Sequence, residues 1–315
     1  MTKTTNFQRA IFLSWYCSVG DCKFCYMSTQ KDKIKDPKKA RRRVESVIAE
    51  AIITKAYGWD IEFISGGYHS FSISELVNIT KHICQIYGKK LWLNIGTFKK
   101  QELEKFLPYI EGVAGTIETI NDEVRKDVCP SKPIEPIMEM FKACDELNLK
   151  KGITIIIGLG ETEQDIPKLI DFIKKNNIGR ITLYTLNPHE GTQFDKPPET
   201  DYFIKWISAV KKECPDTELI AGSWVDRPDE IRKSLEAGAN YFTKFPAIKL
   251  FNSKHAKRIE TEIKQAGREF IGTFTEFREI DVDKELTFLD VDDSSKLKIK
   301  EKVIEYQKTI KKDKD

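Results

Sequence analysis

The sequence has no long apolar run and little excess of charge. None of its segments approaches the roughly 18 uninterrupted apolar residues of a membrane helix, and its polar N-terminus lacks the pattern of a secretory signal peptide. Its 52 basic and 49 acidic residues leave a net charge of +3, which argues against the concentrated basic surface of a nucleic-acid-binding protein. The densest basic run, Lys38–Arg43, is interpreted as a solvated helix face. We therefore expect a cytoplasmic protein without nucleic-acid or membrane partners.

Cysteines are few, odd in number and unevenly placed. Of the seven, three fall within the nine residues Cys17–Cys25, so a disulfide framework is not expected. This group directly follows the apolar run Ile11–Tyr16, which predicts a short buried strand. A zinc ribbon would need a second Cys or His pair downstream, but the next cysteine is Cys84 and the nearest histidine is His69.

Three thiolates without a fourth favour an open iron–sulfur cluster. Such a cluster normally takes four thiolates, so Cys17, Cys22 and Cys25 alone would leave one iron with a free position for catalysis. A zinc or other metal site and a coincidental group of core cysteines are the alternatives. Cys129, in a later loop, is interpreted either as an inert thiol or as one that approaches the same pocket.

Short apolar segments alternate with helix-like segments along the first 275 residues. One example is Gly152–Ile157, which is rich in β-branched residues and reads as a fully buried strand. Strand–helix alternation predicts a parallel sheet, and the count of eight units predicts closure into a single α/β domain of the (β/α)8 TIM-barrel type. Beyond about Glu276 the pattern weakens into charged segments. We therefore predict a barrel at residues 1–275 and a charged C-terminal extension at residues 276–315.

In a (β/α)8 barrel the active-site residues come from the carboxyl ends of the strands. The cysteine group follows the first predicted strand, and the other unusual residues also follow strands. For the paired glycines among them, a plain turn is the alternative interpretation. His189 is interpreted either as a pocket residue or as a loop histidine. The predicted rim residues are Gly66, Gly67, Tyr68, Asn94, Glu118, Gly158, Glu161, Asn187, Arg227 and Lys244, of which Tyr68, Asn94, Arg227 and Lys244 are the substrate candidates.

The segment from Cys17 to Tyr26 resembles the cluster-binding loop of the radical S-adenosylmethionine (radical SAM) superfamily. The common form of that loop is Cys-x3-Cys-x2-Cys with an aromatic residue before the last cysteine, and Phe24 matches this aromatic. Here four residues rather than three separate the first two cysteines. Gly20 lies in the longer gap, where a positive φ would absorb the extra residue.

Two glycine segments extend this resemblance. Gly66 and Gly67 match a Gly-Gly-Glu-like motif that binds the amino group of SAM through backbone carbonyls, with Tyr68 in place of the Glu. The segment Gly158–Thr162 resembles one in the biotin synthase-like branch, which includes biotin synthase, the [FeFe]-hydrogenase maturase and methylornithine synthase; a helix cap is its alternative role. The resemblance implies SAM contacts from Phe24, Gly66, Gly67, Glu118, Gly158, Glu161 and Asn187.

The resemblance also implies an activity. A [4Fe-4S] cluster on the three cysteines would reductively cleave SAM to methionine and a 5'-deoxyadenosyl radical, with ferredoxin or flavodoxin as reductant and a small molecule as substrate. No cysteine stands at Leu91–Asn94 or Lys151–Thr154, where biotin synthase holds a second cluster, which argues against its sulfur-insertion chemistry. We expect a role in cofactor biosynthesis, either hydrogenase-cofactor maturation or archaeal lipoyl-synthase-like sulfur insertion. The alternative is a non-catalytic iron–sulfur scaffold or electron-transfer protein, and no catalytic residue is identified.

Overall fold

The computed structural model describes residues 3–312 and is organised around parallel strands that alternate with helices. The strands are β1 Lys3–Asn6, β2 Gln8–Phe12, β3 Asp60–Ser65, β4 Leu91–Asn94, β5 Ile110–Glu118, β6 Lys150–Ile157, β7 Arg180–Thr185, β8 Glu218–Gly222, β9 Tyr241–Thr243 and β10 Arg268–Ile271. The helices are α1 Tyr26–Gln30, α2 Val44–Ala56, α3 Ile73–Tyr87, α4 Lys100–Leu103, α5 Asp122–Val128, α6 Glu135–Glu146, α7 Ile166–Lys175, α8 Thr200–Glu213, α9 Asp229–Glu236, α10 Lys254–Gln265, α11 Val282–Leu286 and α12 Asp293–Lys311.

Eight of the strands, β2 to β9, form one parallel sheet in which each strand pairs with the next along the chain. A parallel bridge between Phe7 and Phe242 joins the first strand to the last, so the sheet is a nearly closed barrel. Strand β6 shows why the chain folds this way, because its run of β-branched residues is buried against the barrel interior on one face and the helices on the other. The predicted TIM-type fold is confirmed.

The predicted elements match the structure except near their ends. The first barrel strand ends at Phe12, whereas the apolar run predicted a strand over Ile11–Tyr16; the difference arises because the backbone then turns to Ala40 and Arg41, with which Trp15 and Ser14 pair. Helix α3 has clear sequence signals at both ends: Ser72 and Glu75 form a capping box at its start, and the left-handed Gly88 (φ +76°) ends it.

The C-terminal extension is more ordered than its charged sequence indicated. Residues 276–312 contain α11 and the 19-residue α12, which packs along α2 and buries Ile299 and Val303. All eight residues Val47–Thr54 of helix α2 are buried, including Glu50, so the helix needs cover on the face away from the barrel as well. The predicted boundary at residue 275 stays a prediction, but the extension belongs to the same hydrophobic core.

The amino end of the barrel is closed by two strands that the sequence analysis did not predict. Strands β1 and β10 pair in parallel, and next to them Phe7 packs against the rings of Trp59, Phe242 and Phe274 at centroid distances of 5.1–5.8 Å. Both strands are short and lie outside the strand–helix repeat, so they carry no strong periodic signal. The opposite, carboxyl end of the strands is therefore where the chain leaves a cavity. Within residues 3–312, no helix is both long enough and apolar enough to cross a membrane.

Candidate active site

The three clustered cysteines lie in the loop that leaves the carboxyl end of β2. The backbone N–H of Leu13 donates to the carbonyl of Ser65 (2.8 Å), which fixes the start of this loop against β3. The side chains of Cys17, Cys22 and Cys25 then line one cavity of about 120 Å³, and all three are free thiols. The loop thus brings the three sulfur-bearing residues to one place at the mouth of the barrel.

The longer gap between the first two cysteines is accommodated by backbone conformation. Gly20 adopts φ +52°, the left-handed conformation predicted for it. The ammonium of Lys31 donates to the carbonyl of Val19 (2.8 Å) and holds the bulge in place. The N–H of Cys25 donates to the carbonyl of Cys22 (3.0 Å), so the last two cysteines form a tight turn that leads into α1.

The glycine pair after β3 packs directly on the cysteine loop. A Cβ at Gly67 would lie 2.0 Å from the carbonyl oxygen of Tyr16 and 2.7 Å from Cα of Cys17, so no side chain fits there. The neighbouring Ser70 hydroxyl donates to the same Tyr16 carbonyl (2.7 Å), and the N–H of Ser18 donates to the Tyr68 carbonyl (3.1 Å). The glycines therefore allow two backbone segments to approach each other as well as leaving the cavity wall open.

Polar side chains from β4 and β5 complete the cavity. Asn94 is buried at the end of β4, and its Oδ1 has no hydrogen-bond partner within residues 3–312. Glu118 ends β5 with φ +65°, an uncommon conformation for a residue with a side chain. Its carboxylate pairs with the buried ammonium of Lys132. The predicted residues that line this cavity besides the cysteines are Phe24, Gly66, Gly67, Tyr68, Asn94 and Glu118.

Lys132 is a cavity residue that the sequence analysis missed. It lies in the loop between α5 and α6, and its ammonium also stands 5.5 Å from the centroid of the Tyr68 ring. Burial acts to lower the pKa of Lys132, but the nearby Glu118 carboxylate outweighs it and the pKa is raised. Lys132 therefore stays charged and compensates the buried carboxylate. The sequence signal that could have identified Lys132 is its position between two prolines in the loop between α5 and α6.

Cys129 is buried beside Cys22, one of the three cysteines of the loop, rather than exposed to solvent. Its thiol hydrogen-bonds the thiol of Cys22, which raises the pKa of Cys22, and burial adds to this effect. Burial also raises the pKa of Cys25 to about 11. Cys129 and Cys22 belong to a small apolar cluster with Phe24 and Leu159 that covers this side of the cavity. Cys129 is therefore buried beside Cys22 without lining the cavity itself, and its approach to the pocket stays a prediction.

The second glycine segment does not reach this cavity. Both carboxylate oxygens of Glu161 accept hydrogen bonds from its own loop, from the N–H of Gly158 (2.6 Å) and of Leu159 (2.9 Å), and Tyr202 donates to its carbonyl (2.7 Å). Gly158 adopts φ +112°, and a Cβ there would lie 2.9 Å from Pro198. These contacts give the segment a local structural role, because its polar atoms are already satisfied within the loop.

Three further predicted residues also lie outside the cavity. Asn187 is half-buried in the loop after β7. Arg227 pairs with Glu230 (2.6 Å) and donates to the carbonyl of Pro198 (2.7 Å) through Nη2, whereas its Nη1 is buried and has no hydrogen-bond partner within residues 3–312. Its role as a substrate ligand stays a prediction. Lys244 follows β9 and points toward aromatic rings at the mouth of the barrel.

The sequence pattern of the Radical SAM superfamily matches residues 16–173, which contain the cysteine loop, the glycine pair and Glu118. The chain belongs to the radical SAM superfamily. Members of this superfamily bind a [4Fe-4S] cluster and SAM, as the cysteine spacing predicted.

Relatives of this radical SAM chain support the predicted biotin synthase-like branch. An uncharacterized protein of Methanocaldococcus jannaschii is 45% identical over 276 residues, which cover 87% of this chain and 76% of that protein. The biotin synthase of Methanococcus vannielii is 26% identical over 206 residues, which cover 64% of this chain and 62% of the synthase. The crystal structure of methylornithine synthase (PylB) matches with a TM-score of 0.69 over 90% of this chain and 86% of the synthase, at 17% identity, which shows a shared fold.

The cavity has the donor set that the superfamily cofactors need. Within residues 3–312, no three Cys, His, Asp or Glu side chains stand in a ready-made metal cage. The three free thiols nevertheless line a single cavity, and thiolates are the ligands that iron–sulfur clusters take. The unpartnered Oδ1 of Asn94 offers an acceptor for a ligand N–H or O–H in the same cavity. The residues present therefore fit both a cluster and a polar cosubstrate.

Proposed function

We propose that this chain is an enzyme that binds a [4Fe-4S] cluster, reductively cleaves SAM and acts on a small-molecule substrate in the biosynthesis of a cofactor. The observation that carries the proposal is the single cavity at the carboxyl ends of β3 to β5, lined by three free thiols together with Gly66, Asn94 and Glu118. Members of the superfamily are enzymes, and this is where TIM-barrel enzymes hold their active sites.

Each group of residues has a task in this proposal. Cys17, Cys22 and Cys25 hold the cluster, while the backbone at Gly66 and Gly67 and the Asn94 amide orient SAM. When bound, the cluster and SAM supply reductive cleavage of a carbon–sulfur bond and a hydrogen-abstracting adenosyl group. The protein positions these groups and excludes water and other hydrogen donors.

Two features of the cavity serve that exclusion. The apolar cluster around Phe24, Leu159 and Leu186 covers Cys22, so one side of the thiols is closed to solvent. On the other side, Lys132 pairs with Glu118 and compensates its buried charge, so this wall of the cavity needs no water to solvate the carboxylate.

Cofactor biosynthesis is the role that the similarity to biotin synthase favours. Hydrogenase-cofactor maturation and archaeal lipoyl-synthase-like sulfur insertion both fit a chain with one cysteine group. The candidate from another class is a non-catalytic iron–sulfur scaffold or electron-transfer protein. The buried, unpartnered Asn94 Oδ1 beside the thiols favours the enzyme, because a scaffold has no use for an unsatisfied polar atom there.

We also propose that a ferredoxin or flavodoxin delivers the electron, in the cytoplasm. The segment next to the cysteine loop offers a suitable surface. Its exposed lysines make no side-chain hydrogen bond or ion pair with the described part of the chain, and Trp15 beside them is half exposed. Small acidic electron carriers bind such surfaces by charge complementarity. These lysines are Lys33, Lys35, Lys38 and Lys39.

The test uses anaerobically purified protein reconstituted with iron and sulfide. After dithionite reduction, we expect an EPR signal of the reduced cluster that changes on addition of SAM, with formation of 5'-deoxyadenosine in the same samples. Variants C17S, C22S and C25S are expected to lose both, whereas C84S, on α3 and away from the cavity, keeps both. Full iron and sulfide without a SAM-dependent signal or 5'-deoxyadenosine would favour the scaffold. Tight zinc in place of iron would contradict the cluster itself.

A further inference from the structure

Lys244 occupies an unusual position at the carboxyl end of β9. Its backbone is in the left-handed region (φ +75°), which is rare for a residue with a long side chain and marks a position held in place by its surroundings. Strand β9 neighbours β2 across the barrel closure, so Lys244 follows the strand next to the one that carries the cysteine loop.

The Lys244 ammonium lies among aromatic rings. It stands 4.5 Å from the centroid of the Tyr184 ring and 5.6 Å from that of Trp224. The His189 ring packs against Trp224 with centroids 6.5 Å apart. Within residues 3–312, no carboxylate lies within 4.0 Å of this ammonium and no hydrogen bond to it is formed. Cation–π contacts attract the charge but satisfy none of its three N–H donors.

The carboxylate of Glu62, in the barrel interior, is already engaged by other residues. Glu62 is fully buried, and its oxygens accept hydrogen bonds from the hydroxyls of Thr182 (2.9 Å), Tyr184 (3.0 Å) and Thr243 (2.8 Å). Three donors from β7 and β9 therefore fix Glu62 in the barrel interior. Its charge stabilises the charged form of Lys244 from a distance without capping the ammonium.

We propose that Lys244 binds a carboxylate group of the substrate at the mouth of the barrel, in a site walled by Tyr184 and Trp224. The inference rests on the proposed function, because it assigns the substrate class of the same active site. Lys244 is half-buried, and a cation removed from much of its water with no hydrogen-bond partner in the protein is stabilised by an anionic partner. The site offers one cation, which matches the single charge of a carboxylate, whereas a phosphate dianion would leave charge unmatched.

This assignment also gives the substrate an orientation. The charge of Arg227, the other cationic rim candidate, is balanced by Glu230, and that of Lys132 is balanced by Glu118. Burial lowers the pKa of Lys244, and an anion bound beside the ammonium would favour the charged form of this lysine. The carboxylate then lies on the β9 side of the mouth, and the rest of the substrate extends toward the cavity of the three cysteines.

The test uses iodide and the fluorescence of Trp224 in the reconstituted protein. Trp15 and Trp224 are the tryptophans with accessible surface, whereas Trp59, Trp92 and Trp206 are buried, so a W15F background leaves Trp224 as the iodide-accessible residue. We measure the Stern–Volmer constants for iodide and for neutral acrylamide in four proteins. These are the W15F parent and the three variants in which K244M, K244R or K249M is combined with W15F. Lys249 is an exposed lysine on the following turn and serves as the matched control.

We expect K244M to lower the iodide constant by about threefold, the effect of one nearby unit charge on a local anion concentration, while K244R and K249M keep it. Acrylamide constants should stay the same in all four proteins. Sodium glutarate should suppress iodide quenching in the W15F protein but not in K244M, and neutral glutaramide should have no effect.

Equal iodide constants for K244M and its parent would overturn the proposal, as would stronger competition by phosphate than by glutarate, which would assign a phosphate instead. The quenching requires no SAM cleavage. A protein with Lys244-dependent quenching but no 5'-deoxyadenosine would therefore contradict the proposed function while leaving anion binding by Lys244 in place.

Discussion

At the scale of single residues, the site depends on close backbone contacts as much as on the cysteines. Gly67 lies against the backbone of Tyr16 and Cys17, so its missing side chain sets where the first thiol stands. The buried pair of Glu118 and Lys132 fixes the opposite wall. Single substitutions at such positions should act on cofactor loading rather than only on stability, because the groups that bind a cofactor must be held within a fraction of an ångström.

Gly67→Ala is expected to disrupt cluster loading. The new methyl group would meet backbone atoms at 2.0–2.7 Å and push the cysteine loop away. We expect loss of most of the reconstituted iron and sulfide, and a decrease of about 1–3 kcal/mol in the free energy of unfolding. The matched control is Gly179→Ala, whose Cβ would meet nothing nearer than 3.9 Å. Iron and sulfide analysis with urea unfolding checks both variants, and equal iron content in the two would show that the close approach is unimportant for the loop.

At the scale of secondary structure elements, two segments whose sequences show only an abundance of charged residues have distinct roles. Helix α12 covers the outer face of α2, and the lysine-rich segment after α1 lies next to the cysteine loop. Sequence periodicity identified neither role. The charged residues of α12 outnumber its buried ones, and the lysine-rich segment forms only short helical turns at Lys31–Lys33 and Pro37–Ala40, which differs from the solvated helix face predicted for this stretch.

Ile299→Ala should destabilise the whole domain. Ile299 is fully buried between α12 and α2, so truncation leaves a cavity in the shared core and should cost about 2–5 kcal/mol. Ile304 lies on the same helix but is 39% exposed, and Ile304→Ala should cost less than about 1 kcal/mol. Urea denaturation followed by circular dichroism measures the difference. Equal effects would mean that α12 is not part of the cooperative unit.

Charge reversal of the basic segment should slow electron delivery by a protein donor. We expect a variant with Lys33, Lys35, Lys38 and Lys39 changed to Glu to form 5'-deoxyadenosine more slowly with reduced flavodoxin, by about tenfold or more at low salt. With dithionite the rate should stay that of the parent, because a small chemical reductant needs no docking surface. The control reverses four lysines at the amino ends of the strands, Lys89, Lys90, Lys105 and Lys150.

Identical flavodoxin-dependent rates for the two charge-reversal variants would place the docking surface elsewhere. A rate that falls equally with dithionite would instead show that the basic segment supports the cysteine loop itself, to which Lys31 connects it.

At the scale of the whole molecule, barrel closure decides which strand ends face one another. The first and last strands meet through the bridge between Phe7 and Phe242, and the aromatic group around Phe7 fills the amino end. Closure brings the loop after β2 next to the end of β9 and so places the thiols and Lys244 at one mouth. A barrel opened at this seam would separate the cofactor residues from the proposed substrate carboxylate site.

Phe7→Ala is expected to loosen this seam. Phe7 is fully buried against three aromatic rings, and its truncation should lower the free energy of unfolding by about 3–5 kcal/mol. Amide hydrogen exchange should accelerate most in β2 and β9. Phe288→Ala, at a residue that is 66% exposed, is the control and should change neither measurement. Uniform acceleration across all strands would show that the seam is no weaker than the rest of the barrel.

The sequence by itself determined the fold class, the superfamily and the cysteine group, because each rests on local signals: alternating apolar segments, residue spacing and glycine turns. It also identified Asn94 and Glu118, since strand ends can be read from the chain. The tertiary structure decided what depends on long-range contact. Lys132 reaches the cavity from a loop, the charge of Arg227 is balanced by Glu230, Glu161 accepts hydrogen bonds from its own loop, and Lys244 is left without an anion. Spacing along a chain fixes which residues are available, and packing fixes which of their atoms remain free.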